Sequence, residues 1–184
     1  RSGVIAWAQV LSQLGEPGRA LSIIDDAFGP DPDPEIAALR APIAAGEAVP
    51  FTAVEAPRQG VAEVFFSLAR ALNREADNEF MLIYTRAAEA IDPGHVHATI
   101  TAAETLQAMR QHKLAIDAYA SVPRDHPAFY TAELGRAEGL RVTGKPDAAA
   151  EVLGQLAGAF PGIVEVHVAA GDLHREQEEY AEAI

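Results

Sequence analysis

The chain has 184 residues, of which 49% are hydrophobic, and it contains no cysteine. Its formal net charge of −13, from 14 Lys and Arg against 27 Asp and Glu, is opposite to the basic surface that a phosphate backbone requires, so we expect no nucleic-acid partner. No apolar run reaches the roughly 18 residues of a membrane-spanning helix, so no membrane span is predicted. Abundant alanine and scarce alternation of β-branched residues favour helices.

Four stretches share one layout, in which a turn is followed by small and apolar residues at fixed spacing and then by proline. In chain order they are GEPGRALSIIDDAFGPDP (15–32), ADNEFMLIYTRAAEAIDP (76–93), RQHKLAIDAYASVPRDHP (110–127) and GKPDAAAEVLGQLAGAFP (144–161). Aligning their last prolines defines units 1–34, 62–95, 96–129 and 130–163 and a truncated unit at 164–184. Each unit predicts two helices joined by a turn, the second ended by proline.

Small residues recur in the aligned units at the positions where two helices cross, since helices approach closely only over small side chains. Position 8 holds Ala8, Ala69, Ala103, Ala137 and Gly171; position 20 holds Ala20, Met81, Ala115, Ala149 and Ala183; position 27 holds Ala27, Ala88, Val122 and Leu156. With leucine at position 11, this pattern resembles the tetratricopeptide repeat (TPR), including TPR proteins of alpha-proteobacteria. The resemblance implies an all-α fold, a right-handed superhelix (α-solenoid) of antiparallel helix pairs.

Two features depart from that pattern. Position 4, usually aromatic, is Thr99, Glu133 and His167, and position 7 is Arg136 in one unit. Residues 35–61 form an irregular unit, in which PEIAALRAPIAAGE predicts one helix but Pro50 opposes a second. We expect an extended strap there, with Phe51 and Val54 packed down on the helices. The alternative is a hinge between two repeat blocks.

The sequence contains only weak matches to catalytic, phosphate-binding or metal-binding motifs. The stretch GLRVTGKP (139–146) resembles a phosphate-binding loop, but Pro146 stands where a magnesium-binding Ser or Thr belongs, and the repeat assigns Gly144 to an inter-helix turn. His167 and His174 lie seven residues apart on one helix face, which favours packing over metal binding. We therefore predict no enzyme activity, no catalytic residue, no metal and no cofactor.

The TPR resemblance implies that positions 2, 5, 9 and 12 of each first helix line a groove. Position 5 gives an apolar ladder, and positions 9 and 12 give mixed charge. The candidate groove residues are Phe66, Ile100, Leu134 and Val168 (position 5), Arg70, Glu104, Glu138 and Asp172 (position 9), Asn73, Gln107, Arg141 and Arg175 (position 12), and Arg74. Position 5 could equally belong to the core. The expected function is a non-catalytic scaffold for a protein or peptide partner, without the clamp for acidic C termini known in the family.

The last unit suggests a different role. The segment EEYAEAI (178–184) is predicted to begin a second helix, so we expect a fragment of a longer bacterial protein. Without its partner, the helix at roughly 164–177 would leave Val166, Ala170 and Leu173 uncovered, and such a face tends to find another chain. The alternative function is therefore a self-associating structural module, a homodimer through residues 164–184. The resemblance leaves the compartment open between cytoplasm and periplasm, with a preference for the periplasm.

Overall fold

The computed structural model describes residues 1–30, 32–72 and 77–177, which form ten α-helices and no β-strand. The chain divides into two compact units, Arg1–Gly60 (unit 1) and Val61–Ile184 (unit 2). In chain order the helices are α1 Ser2–Gln13, α2 Pro17–Phe28, α3 Pro34–Ala44, α4 Pro57–Leu72, α5 Asn78–Ile91, α6 Val96–Ala108, α7 His112–Ala120, α8 Phe129–Val142, α9 Pro146–Ala159 and α10 Val164–Glu176. None of the described helices is long and apolar enough to cross a membrane.

Unit 1 is a helical hairpin extended by a third helix. Gly15, with a φ of +73°, makes the turn after α1, and Pro17 starts α2, where its missing N–H leaves no intrahelical bond unmade. Asp33 caps α3 by accepting hydrogen bonds from the backbone N–H groups of Glu35 and Ile36. The buried side chains of the three helices form one core, comprising Ala8, Leu11, Ala20, Ile24, Ile36, Ile43 and Val49.

Residues 45–56, which we call the strap, form no helix and connect α3 to α4. Val49 is the strap residue that enters the core. The expectation that Phe51 and Val54 pack down is wrong, because both side chains are exposed. The strap is held mainly by its backbone polar groups, as described below, so its larger side chains are not needed to anchor it.

Unit 2 is built from consecutive helical hairpins. Each helix from α5 to α9 packs against the next along the chain. Buried alanines lie at the crossings, with Ala69, Ala103 and Ala137 all inaccessible or nearly so. Position 27 is buried in this unit at Ala88, Val122 and Leu156. Ala27 in unit 1 is exposed, since the strap after α3 packs on α1 rather than on the end of α2. The all-α solenoid of antiparallel helix pairs is confirmed.

Helix α10 is already packed within the chain. Leu173 lies in a core cluster with Ala137, Leu140, Val152 and other side chains of α8 and α9, and Val166 is fully buried. The predicted uncovered face, which was the reason to expect a homodimer through residues 164–184, is therefore wrong at Val166 and Leu173. Ala170 is half-buried. The segment 178–184 lies outside the described residues.

Candidate functional site

In unit 1 the strap, a non-helical segment, lies on the first helix α1. The Gln9 side chain accepts a hydrogen bond from the Thr52 backbone N–H (3.1 Å) and donates one to Thr52 Oγ1 (2.9 Å). Ser12 Oγ accepts from the Val49 N–H (3.1 Å), and Gln13 Nε2 donates to the Val49 carbonyl (2.9 Å). Gln9 and Ser12 occupy positions 9 and 12 of their unit and are buried beneath the strap. Side chains at two of the predicted groove positions thus bind the backbone of a non-helical segment.

The apolar ladder at position 5 is not continuous. Phe66 and Ile100 are each 5% exposed and belong to core clusters, so their assignment to the groove is wrong. Leu134 is half-buried against the α8–α10 core, whereas Val168 is 55% exposed. The residue at position 4 does not explain this difference, since the buried Phe66 follows the aromatic Phe65 and the exposed Val168 follows the polar His167.

A cavity of about 300 Å³ lies between α4, α5 and α6, and we call it the Glu104 cavity. Its lining brings together the two predicted groove residues Arg70 and Glu104 with polar and small side chains of three helices. The lining residues are Arg70, Asn78, Met81, Thr101, Glu104, Thr105 and Ala108. The guanidinium of Arg70 lies 5.9 Å from the Phe66 ring centroid, a cation–π distance that positions it at the cavity wall.

Glu104 reaches solvent, yet protein surrounds it on several sides, and this desolvation raises the pKa of its carboxyl group. Tyr119 of α7 lies nearby and is buried. Its desolvation, together with the charge of Glu104, raises the pKa of the phenol, which donates a hydrogen bond to Gln107 Oε1 at 3.2 Å. In the repeat 96–129, the position-12 residue Gln107 therefore binds the buried Tyr119. Gln107 is half-buried, and its amide NH₂ group takes no part in the hydrogen bond with Tyr119.

A second cavity, of about 210 Å³, lies between α8, α9 and α10. Its floor is apolar, with Leu134, Ala137, Leu153 and Leu173, and its charged lining residues are Glu138, Arg141, Asp172 and Glu176. Arg141 joins two helices, since its guanidinium pairs with Glu138 (2.7 Å) on α8 and Glu176 (2.8 Å) on α10. These two carboxylates raise the pKa of Arg141 further. Arg175 pairs with Asp172 at 2.9 Å.

The remaining candidates are placed as follows. Asn73 and Arg74 lie outside the described residues. Gly144 has a φ of +74° in the turn between α8 and α9, and Pro146 begins α9. The GLRVTGKP stretch therefore consists of the end of α8, this turn and the first residue of α9. His167 Nε2 is 3.0 Å from the Pro161 carbonyl oxygen. Within the described ranges, no three His, Cys, Asp or Glu side chains are grouped so as to hold a metal ion.

Gln9 and Ser12 are not among the predicted groove residues, although both stand at positions 9 and 12, which are the signal that could have identified them. Glu133 and Arg136 are departures from the repeat pattern. They form a bidentate ion pair (Nε–Oε1 2.7 Å, Nη2–Oε2 2.5 Å), with Glu133 buried. Their spacing of three residues on one helix is the signal that could have revealed the pair.

The fold and these surfaces define a TPR-like helical-repeat protein whose first helices carry polar side chains at regular spacing. MamA 41-end from Desulfovibrio magneticus RS-1 has a similar structure, with a TM-score of 0.59 at 15% identity over 96% of this chain and 84% of that one. MamA of AMB-1 gives 0.57 at 14% identity over 98% and 91%, and MamA of MSR-1 gives 0.55 at 14% over 96% and 86%. No family model and no curated protein sequence matches the chain. Such low identities establish the shared fold alone.

Proposed function

We propose that the chain is a non-catalytic scaffold that binds an extended peptide segment of a protein partner on the first helices of unit 2. The observation that carries this proposal is the strap. In unit 1, side chains at positions 9 and 12 of a first helix hold a non-helical segment through the backbone N–H groups of Val49 and Thr52. An extended segment cannot satisfy its own N–H and C=O groups, so a helix that offers polar side chains at regular spacing suits it.

Unit 2 repeats those positions, and within its described residues no side-chain hydrogen bond joins them to a non-helical segment. Arg70, Glu104 and Asp172 are exposed at position 9, and Glu138 is half-buried there. At position 12, Gln107 and Arg141 are half-buried and Arg175 is exposed. The similarity to MamA in fold supports a protein-interaction scaffold and does not identify the partner. The alternative of a self-associating module is not retained, because Val166 and Leu173 are buried within the single chain.

The test is a selection from a phage-displayed library of random 12-residue peptides against the complete chain, followed by isothermal titration calorimetry of the selected peptides. We expect peptides with micromolar affinity. Amide chemical shifts in NMR spectra should then change on α6, α8 and α10, with little change on α7 and α9. Failure to select any peptide above the background of the support, or shift changes confined to α7 and α9, would contradict the proposal.

A further inference from the structure

We propose that the Glu104 cavity accepts a basic side chain, Lys or Arg, of the bound peptide. The inference rests on the proposed function and specifies the chemistry of the peptide at one position. It starts from a difference between repeats. At position 9 the last two units carry Glu138 and Asp172, and each pairs with an arginine three residues later on its own helix.

Glu104 has no such arginine. Gln107 stands three residues later, and its side-chain oxygen accepts a hydrogen bond from the hydroxyl of Tyr119. Within the described part of the chain, Glu104 forms neither an ion pair nor a side-chain hydrogen bond. The repeat thus neutralises two of the three position-9 carboxylates of α6, α8 and α10 internally and leaves the third for a cation from outside.

The elements around Glu104 are suited to a cationic side chain. On α6, the Thr101 carbonyl accepts a hydrogen bond from the hydroxyl of Thr105 at 2.7 Å. Thr105 Oγ1 therefore keeps its lone pairs to accept a hydrogen bond from the incoming side chain. From α5, Asn78 adds an amide oxygen. Among the described lining residues, Arg70 of α4 is the one basic side chain, and it lies over the Phe66 ring. Its N–H groups are placed to donate to carbonyl groups of the peptide backbone.

The size of the cavity favours one side chain over a complete small ligand. At about 300 Å³ it lies at the lower end of the roughly 300–1,000 Å³ typical of small-molecule sites. The lining on three helices leaves the charge of Glu104 poorly solvated, which raises its pKa, and an ammonium or guanidinium group would supply the missing partner. A partly desolvated ion pair is stronger than one on an open surface, so the contact should select for basic residues.

The experiment compares peptides selected on the wild-type chain with their binding to Glu104→Gln and to the matched control Glu151→Gln, an exposed residue of the second helix α9. We expect the selected peptides to be enriched in Lys or Arg at one position. Their affinity for Glu104→Gln should fall about tenfold, while binding to Glu151→Gln changes by less than about threefold. Replacing the basic residue by norleucine or citrulline should lower the affinity for the wild type to a similar extent and have little effect on Glu104→Gln.

The outcomes separate this inference from the function on which it rests. The Glu104 contact would be contradicted if the peptides bind Glu104→Gln as tightly as the wild type or lack a preferred basic residue. Neither outcome would contradict the scaffold function. Failure to select any peptide overturns both. Circular dichroism of both variants shows whether they are folded. If Glu104→Gln is unfolded, the comparison of norleucine and citrulline peptides on the wild type decides the question.

Discussion

Tyr119 of α7 packs so closely on Gly135 of α8 that a Cβ atom at residue 135 would lie 2.3 Å from Cζ of the tyrosine ring. Real side chains do not approach to that distance, so the glycine is what admits the ring between the helices. In this position the tyrosine hydroxyl reaches Gln107 on α6. One missing methyl group on α8 therefore determines how α6, α7 and α8 meet beside the Glu104 cavity.

Replacing Gly135 by alanine should destabilise the chain by about 1–3 kcal/mol, because the added methyl overlaps a buried ring that cannot shift without moving α7. Urea denaturation followed by circular dichroism measures this. Gly154 on α9 is the matched control, since a Cβ there meets nothing within 4 Å. Gly154→Ala should stabilise by up to about 1 kcal/mol through helix propensity. Equal effects of the two changes would contradict the packing described.

Replacing Ser12 by alanine should loosen the strap, because the Val49 N–H loses its hydrogen-bond acceptor. We expect the Val49 amide to exchange with deuterium at least about tenfold faster, consistent with a hydrogen bond worth ~1 kcal/mol or more at a buried site. The control is Gln13→Ala, which removes a donor to the Val49 carbonyl and leaves the N–H bonded. Unchanged exchange in Ser12→Ala would show that the strap is held in another way.

Asp33 should make stability depend on pH. Its carboxylate pairs with Arg1, with Nη1–Oδ2 at 2.6 Å and Nη2–Oδ1 at 2.9 Å, and this pairing lowers the pKa of Asp33 in the folded state. The stabilisation is therefore present above the ordinary pKa of ~3.9 and is lost as the pH falls through the lowered folded value.

Asp33→Asn tests this, since asparagine also caps a helix but cannot form the ion pair. The variant should be less stable than the wild type by about 1 kcal/mol or less at pH 7, because the pair is partly exposed. The difference should shrink below about pH 4. Thermal unfolding at several pH values measures it, and a difference that grows in acid would contradict the assignment.

Glu104 should have the opposite effect on stability. Desolvation raises its pKa in the folded state. At pH values between the ordinary pKa and this raised pKa, the folded chain binds more protons than the unfolded chain. Stability therefore falls as the pH rises through that interval. Glu104→Gln should therefore be more stable than the wild type at pH 7, with the difference vanishing where the carboxyl is protonated in both states. Thermal melts of the two proteins at pH 4 and pH 7 provide the comparison. A less stable variant at pH 7 would contradict the prediction.

Leu173→Ala should destabilise by about 2–5 kcal/mol, since this side chain fills the core between α8, α9 and α10. On the same helix, Val168 is more than half exposed, and Val168→Ala should change stability by less than about 0.5 kcal/mol. Urea denaturation of both variants is the measurement. Similar effects of the two changes would indicate that α10 is not packed on the chain in the way described.

Local rules made the helices and their crossings predictable. Two helices can pack at short distance only over small side chains, so Ala8, Ala103 and Ala137 indicated where the helices cross. Proline and glycine marked the turns because they limit or permit backbone angles by themselves, as at Pro146 and Gly144. The Glu133–Arg136 pair was equally local and could have been predicted from its spacing.

The sequence by itself thus determined an all-α array of hairpins, because that outcome depends on side-chain size and backbone freedom within about 34 residues. Only the tertiary structure decided which face each side chain serves. Phe66 and Ile100 are in the core, and Glu104 lines a cavity without an ion-pair partner among the described residues, because such assignments depend on contacts with other helices. The strap on Gln9 and Ser12 depends on residues about 40 positions away in the chain, whose meeting no local periodicity encodes.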